Sequence, residues 1–259
     1  MSATALKNRM NGKLQTQSGS EERDTTMPTA LTTVSDSNYI ALTNNALEII
    51  NENLKNQPLS YQLFDVIKSP SGGITSFSVP GLSGEEMEKE LTGIILDYTT
   101  PRAYWHTPEP VEGQAPDCFS LDSVISQDGK PCNRCQFNDF GSKNGGETQA
   151  KACKEQVQLF LLRPNNIMPV IVRVPVTSKL IFQKYMTRLV GRMIPLSAVV
   201  TKITLEKATS REGKPYALYN FEAVSTLSPE EAATAKAFGQ KFMEIMKTAE
   251  LEPVVEEAV

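Results

Sequence analysis

The chain has 259 residues, of which 40% are hydrophobic, and this apolar share is enough for a packed core. No stretch reaches the about 18 apolar residues of a membrane helix, and the first residues lack the apolar stretch of a secretory signal, so we expect a cytoplasmic protein without a membrane partner. The net charge of −4 is unevenly spread. Residues 151–215 hold 12 basic and 3 acidic side chains, whereas residues 1–150 hold 11 basic and 19 acidic ones. The basic part keeps a polyanion among the candidate partners.

The N-terminal part predicts an arm, a helix and a hairpin. Residues 1–35 are rich in Ser, Thr, Asn and Gln, which is typical of a flexible arm. Apolar residues at helical spacing predict a helix over 36–56. Two short strands, 59–67 and 74–79, flank a Pro- and Gly-containing turn at 70–73, and we expect them to pair as a hairpin.

The sequence after residue 90 predicts one buried strand and two further pairs of strands. The apolar run over 92–98 is suited to a buried strand. Strands over 156–162 and 168–174 are separated by a polar turn, and strands over 198–207 and 215–224 are separated by another. Since the alternation of strand and helix is weak, the order favours a mainly β fold of the α+β class, a small antiparallel sheet or barrel with flanking helices.

Two helices accompany these strands. The first is predicted from Thr177 or Ser178 to about Met193. We expect its apolar face to carry Leu180, Ile181, Leu189 and Val190. The second is predicted over 228–249, since Ser228, Pro229 and Glu231 form a capping signal, and an acidic tail with four glutamates follows over 250–259. The domains are therefore the arm at 1–35, a core at 36–227 with a cysteine insertion at 117–154, the C-terminal helix at 228–249 and the tail at 250–259.

The four cysteines of the chain point to a metal site. Cys118, Cys132, Cys135 and Cys153 lie within 36 residues in a C-x13-C-x2-C-x17-C pattern. Four thiolates suit tetrahedral zinc, and a closed set of four ligands is typical of a structural ion. An iron–sulfur cluster or a redox pair remains an alternative. The single histidine, His106, is an alternative ligand.

The basic centre of the chain is interleaved with aromatic residues. Lys184, Arg188 and Arg192 recur every fourth residue and would form one stripe on the helix. Rings that stack on bases and cations that contact phosphates are what single-stranded nucleic acid requires. The candidate phosphate contacts are Lys151, Lys154, Lys179, Lys184, Arg188, Arg192, Lys202 and Lys214. The candidate stacking residues are Tyr104, Trp105 and one of Tyr216 or Tyr219.

Enzymatic functions find little support in the sequence. It has no phosphate-binding loop, no dinucleotide fingerprint and no zinc-protease motif, and one histidine disfavours His-dependent catalysis. A magnesium-dependent nuclease would need a carboxylate cluster, for which Asp117, Asp122 and Asp128 are the candidates. We therefore expect a protein without a catalytic site.

Several short patterns resemble a group of bacteriophage and prophage proteins. They are Gly93-x-Ile95-Leu96, Arg102-Ala103-Tyr104-Trp105, Pro116-Asp117-Cys118-x-Ser120, Cys132-x-x-Cys135, Phe140-Gly141-Ser142, Ala152-Cys153-Lys154 and Pro175-x-Thr177-Ser178, followed by Tyr185 and Thr201. Over about residues 60–225 the chain is similar to phage single-stranded-DNA-binding proteins with an OB-fold and a zinc knuckle. The resemblance implies an OB-like antiparallel β-barrel with an inserted zinc loop. It also implies four cysteine ligands, Tyr104 and Trp105 as groove aromatics, and the cytoplasm of a bacterial host as the location.

These observations predict a non-enzymatic protein that coats single-stranded DNA in phage replication or recombination, with weak sequence selectivity and a structural Zn²⁺. The acidic tail would recruit replication or recombination proteins, or occupy the basic groove, or only increase solubility. The alternative is a zinc-stabilised protein-interaction module or an accessory subunit of a replication complex.

Overall fold

The structure, a computed structural model, describes residues 32–34, 39, 46–55, 63–107, 114–143, 149–210 and 213–248. Its strands are β1 (Thr32–Val34), β2 (Val66–Ile67), β3 (Phe77–Gly81), β4 (Gly84–Glu88), β5 (Glu90–Thr99), β6 (Arg102–Tyr104), β7 (Cys118–Ser120), β8 (Lys154–Glu155), β9 (Val157–Leu162), β10 (Val170–Val174), β11 (Val199–Thr209) and β12 (Pro215–Leu227). Its helices are α1 (Ala46–Leu54), α2 (Val176–Val190) and α3 (Pro229–Thr248).

Within the described residues, seven strands form one sheet in the order β1-β12-β11-β5-β9-β10-β2. The strands from β12 to β10 pair antiparallel with their neighbours. At the two edges, β1 pairs in parallel with β12, and β2 pairs in parallel with β10. The mixed α+β class is confirmed. The expected OB-like barrel is wrong, because the described strands form an open sheet with β1 and β2 at its edges.

Helices cover both faces of this sheet, whereas the inner face of a small barrel is filled by the barrel's own side chains. Phe182 and Tyr185 of α2 pack on one face, together with Phe77 of β3. Phe238 and Phe242 of α3 pack on side chains of the opposite face, where α1 also lies. Every residue of β9 and of β10 is buried, as expected for central strands covered on both sides.

Most sequence-predicted elements are present, with some differences of pairing. The hairpins β9–β10 and β11–β12 form as predicted. The hairpin expected across residues 70–73 is wrong: β2 instead pairs with β10, while β3 turns back on β4. Thr32–Val34, inside the predicted arm, form β1, whereas the rest of the arm and the tail at 250–259 lie outside the described residues.

Both helices predicted in the C-terminal half are present, but only one of them agrees with the sequence prediction in detail. The capping signal of α3 is confirmed: the Glu231 amide donates to Ser228 Oγ at 3.3 Å, and the Ser228 amide donates to Glu231 Oε2 at 3.0 Å. The apolar face expected for α2 is wrong in part. Leu180 and Val190 are 59% and 72% exposed, because the helix buries Phe182 and Tyr185 against the sheet instead.

Candidate metal centre and nucleic-acid interface

A second, three-stranded sheet of the described residues supports the cysteine segment. Its central strand β6 pairs antiparallel with β7, which places Tyr104 opposite Cys118, and with β8, which places Arg102 opposite Glu155. Side chains two positions apart on a strand share a face, so Arg102 and Tyr104 lie on the same side of β6. Both side chains line the cavity that the cysteines surround.

All four cysteines line this cavity, which has a volume of about 140 Å³. Cys132 begins a 3₁₀ turn, Cys132–Arg134, and the Cys135 amide closes it by donating to the Cys132 carbonyl at 3.4 Å. The Cys153 amide donates to the Phe137 carbonyl at 2.8 Å, which ties the distant fourth cysteine to the same turn region. All four thiols are free of disulfides. The structure thus brings together cysteines that the sequence separates by up to 35 positions.

The electrostatics of the cavity disfavour free thiolates. Burial raises the pKa of Cys153 to about 12, against the opposing influence of the Arg102 guanidinium. The pKa of Cys118 is also raised, by burial first and then by the charge of Asp128. A divalent cation would have to displace these protons, as it does in thiolate sites generally.

The donor set fits a zinc ion, although the thiols do not converge on one point. Among the described residues, no three Cys, His, Asp or Glu side chains form a ready-made ligand cluster. Four free thiols around one small cavity are nevertheless the donors that structural zinc prefers. Cys118, Cys132, Cys135 and Cys153 would hold the ion, which would crosslink the segment. His106 lies outside the cavity, where its Nδ1 is 3.2 Å from Tyr104 Oη.

The predicted aromatic residues lie on and beside the cysteine segment. The Tyr104 ring is half-buried and stacks on Phe137. Trp105 is half-buried, and its Nε1 donates to the Gln114 carbonyl at 3.0 Å. Phe140 is 76% exposed, and Lys151 Nζ lies 4.5 Å from the centre of its ring. An exposed ring beside a cation is a combination with which proteins bind single-stranded nucleic acid.

The basic stripe of α2 faces outward. Lys184, Arg188 and Arg192 are exposed, and no acidic side chain of the described residues lies within ion-pair distance of Lys184 or Arg188. Arg192 Nη1 donates to the Arg188 carbonyl at 3.1 Å, so Arg192 also caps the helix end. Ser178 Oγ accepts the Tyr219 amide at 3.0 Å, which fixes the first turn of α2 on β12. The stripe is therefore an outward-facing row of cations on a helix whose first turn is fixed to the sheet.

Three of the other predicted phosphate contacts have partners within the protein. Lys179 forms an ion pair with Glu155, and Lys202 forms one with Glu222 at 2.6 Å. Lys151 Nζ donates to Asn138 Oδ1 at 3.1 Å. Lys154 is half-buried on β8, and Lys214 is exposed next to β12.

The structure separates the two alternative stacking residues on β12. Tyr219 is 0% exposed, and its ring packs edge-on against Phe77 in the core. A ring in that position has no face open to a base, so the expectation for Tyr219 is corrected. Tyr216 is half-buried and stays a stacking candidate.

Of the three carboxylates that a magnesium site would need, Asp117 and Asp122 accept backbone hydrogen bonds. Asp117 Oδ2 accepts the His106 amide at 2.7 Å. Asp122 Oδ1 accepts the Val124 and Ile125 amides at 2.8 and 3.2 Å, and the pKa of this carboxyl is lowered, first by the Val124 hydrogen bond. Asp128 is exposed at the rim of the cysteine cavity. Within the part of the chain that the structure describes, these residues do not form a three-carboxylate cluster.

The sequence does not reveal a partly buried ion-pair network beside the cavity. Arg102 Nη2 and Glu155 Oε2 are 2.6 Å apart, although 53 positions separate the two residues. Glu155 also pairs with Lys179, so it connects β6 to α2. The signal available in the sequence was the shared face of Arg102 and Tyr104 on one short strand.

Comparison with models of known protein families, with curated proteins and with solved structures found no match. The resemblance to phage single-stranded-DNA-binding proteins thus stays a prediction. No helix of the described residues is long and apolar enough to cross a membrane.

Proposed function

We propose that this protein binds single-stranded DNA as a non-enzymatic coating protein of phage replication or recombination. The observation that carries the proposal is the outward-facing stripe formed by Lys184 and Arg188 on α2 and by Arg192 just after its C-terminal end. Cations without acidic neighbours contact phosphates at low cost, because no ion pair has to be broken first.

The cysteine segment supplies the second part of the proposed surface. Glu155 joins Arg102 of β6 to Lys179 in α2, so the sheet that carries Tyr104 adjoins the basic helix. Bases would stack on Trp105, on the uncovered face of Tyr104 and on Tyr216, while the stripe contacts the phosphates. A Zn²⁺ ion held by the four cysteines would be structural and would fix the aromatic rings. The acidic tail would recruit replication or recombination proteins.

The test is a titration of labelled oligo-dT with the full chain, followed by fluorescence anisotropy at about 50 and 200 mM salt. Counterion release predicts saturable binding whose affinity falls steeply between the two salt concentrations. Trp105, the only tryptophan, provides an internal reporter through quenching of its fluorescence. Absence of binding at low salt by both signals would contradict the proposal, and duplex DNA and RNA of equal length measure the preference.

A protein-interaction module is the second candidate, and exposed apolar side chains of α2 and its C-terminal end favour it. Leu180 is 59% exposed, Val190 72% and Met193 92%. Large apolar side chains left exposed on a surface are a feature of protein interfaces. Under this alternative the chain would leave oligo-dT unbound at low salt.

A further inference from the structure

Arg102 is a buried charge on the wall of the cysteine cavity. Its side chain is 9% exposed. The other charged residues that line the cavity, Asp128 and Lys130, are exposed to solvent. Arg102 is therefore the charged group at this cavity that water screens least.

Two hydrogen bonds fix the orientation of the Arg102 guanidinium. Nη2 donates to Glu155 Oε2 at 2.6 Å, and Nε donates to Ser123 Oγ at 3.1 Å. The two acceptors belong to different segments of the chain, and together they hold the guanidinium at two of its nitrogens. The direction of the third nitrogen, Nη1, follows from the planarity of the guanidinium.

Nη1 is buried and has no hydrogen-bond partner among the described residues. Leaving a buried charged N–H donor without an acceptor is costly. The cysteine thiols are the nearby polar groups on the same cavity wall: Cys132 is buried, the other three are half-buried, and a thiolate sulfur accepts hydrogen bonds. Arg102 Nη1 is thus an unused hydrogen-bond donor, and its residue lines the same cavity as the four potential metal ligands.

A four-thiolate zinc site has a formal charge of −2, since four thiolates surround one divalent ion. Groups that donate hydrogen bonds to metal ligands hold them in place and strengthen metal binding. We propose that Arg102 donates Nη1–H to a metal-bound thiolate of the cysteine cavity and offsets part of the negative charge of the loaded site. The inference rests on the metal site of the proposed function and is independent of DNA binding.

The test measures metal affinity in the absence of DNA. The reduced, metal-free full chain is titrated with Co²⁺, which reports thiolate ligation through its charge-transfer and d–d absorption, and then with competing Zn²⁺. Glu155→Gln is the reference, and Arg102→Met is introduced into it so that no carboxylate loses its partner. Arg163→Met is the matched control, because Arg163 also holds a buried, unpartnered Nε but pairs with Glu88 away from the cavity.

Adding Arg102→Met to the reference is expected to weaken metal binding by about 10–100-fold. It should also shift the sulfur-to-cobalt charge-transfer band to lower energy, a signature that a general loss of stability does not produce. Arg163→Met should match the wild type within about threefold. An unchanged affinity and band would overturn the role of Arg102, whereas failure of the wild-type chain to take up Co²⁺ would overturn the metal site as well.

A measurement on the wild-type chain decides the question if the double variant does not fold. With ¹⁵N-arginine labelling, the guanidinium resonances of Arg102 should move when ¹¹³Cd²⁺ is added. Resonances that stay in place in a loaded protein would overturn the proposal.

Discussion

The ring of Tyr104 lies parallel to the ring of Phe137, with 3.9 Å between their centroids and 13° between their planes. This stack joins strand β6 to the turn that carries Cys132 and Cys135. It also covers one face of Tyr104, so a base can stack only on the opposite face. Tyr104 thus has a structural role that the neighbouring Trp105 does not share.

Trp105 and Tyr104 should therefore respond differently to substitution. Trp105→Ala is expected to weaken oligo-dT binding by about 1–3 kcal/mol, the typical value for one stacked base, and to leave Co²⁺ uptake unchanged. Tyr104→Ala should weaken both, since it also removes the contact with Phe137, whereas Tyr104→Phe should retain both. Anisotropy and cobalt absorption measure the two effects, and wild-type DNA affinity in Trp105→Ala would contradict the assignment.

The basic stripe predicts a change in salt dependence. Replacing Lys184 and Arg188 with alanine removes two proposed phosphate contacts, so the slope of log K against log[salt] should decrease in magnitude by about 1.4. Lys236 and Lys241 are exposed lysines of α3 and provide a matched double-alanine control. If the control loses as much slope as the stripe variant, the binding is not localised on α2.

The buried tyrosines predict loss of stability at high pH. Burial raises the pKa of Tyr185 to about 12 from an ordinary value of 10.0, although the Thr201 hydroxyl 2.8 Å away opposes the shift. Burial likewise raises the pKa of Tyr219 to about 12. Because the folded state holds these protons more tightly, their contribution is complete below about pH 10 and is lost between about pH 10 and 12.

Absorbance at 295 nm and urea unfolding at pH 9 and 11 test this expectation. Tyr185→Phe should show a smaller fall in the free energy of unfolding between the two pH values than the wild type. Tyr216→Phe, outside the core, serves as the control. An equal fall in Tyr185→Phe and wild type would rule out the contribution of Tyr185.

Metal removal should affect the cysteine segment and spare the large sheet. In the described parts of the cysteine segment, residues 117–143 and 149–154, few apolar side chains are buried, whereas β9 and β10 are buried along their whole length. Under chelation, hydrogen exchange is expected to rise over 117–154 and to stay slow in β9 and β10. Cys135→Ser should reproduce this pattern without a chelator, and identical exchange with and without metal would argue against a structural ion.

Gly93 on β5 should tolerate no side chain. A Cβ at this position would lie 2.5 Å from the Leu162 carbonyl oxygen and 2.9 Å from the Leu161 side chain. Gly93→Ala is expected to lower the free energy of unfolding by about 1–3 kcal/mol through overpacking. At Gly191, in helical conformation, the nearest atom would be 3.5 Å away, so Gly191→Ala should be neutral or slightly stabilising in the same denaturation assay.

Local features were predictable because they depend on few neighbouring residues. The hairpins β9–β10 and β11–β12 follow from strand runs on either side of polar turns. The start of α3 follows from the reciprocal hydrogen bonds of Ser228 and Glu231, three positions apart. The four cysteines line one cavity, whereas the metal site that their spacing predicts stays a prediction.

Features that depend on distant pairing could not be predicted in this way. The sequence does not determine which face of α2 is buried, because Leu180 and Phe182 are both apolar and only the position of the sheet decides between them. Tyr216 and Tyr219 differ for the same reason, since Phe77 and Ser69 enclose Tyr219. The pairing of Arg102 with Glu155 requires β6 and β8 to meet.

The sequence by itself determined the α+β class from the order of its elements, and the short-range hairpins and the helix cap from contacts within short segments. The tertiary structure decided that the sheet is open and that helices cover both of its faces. It also decided that Tyr219 lies in the core and that Arg102 has an unused donor at the cysteine cavity. These outcomes depend on which surfaces exclude water from one another, and that is set only when distant segments pack together.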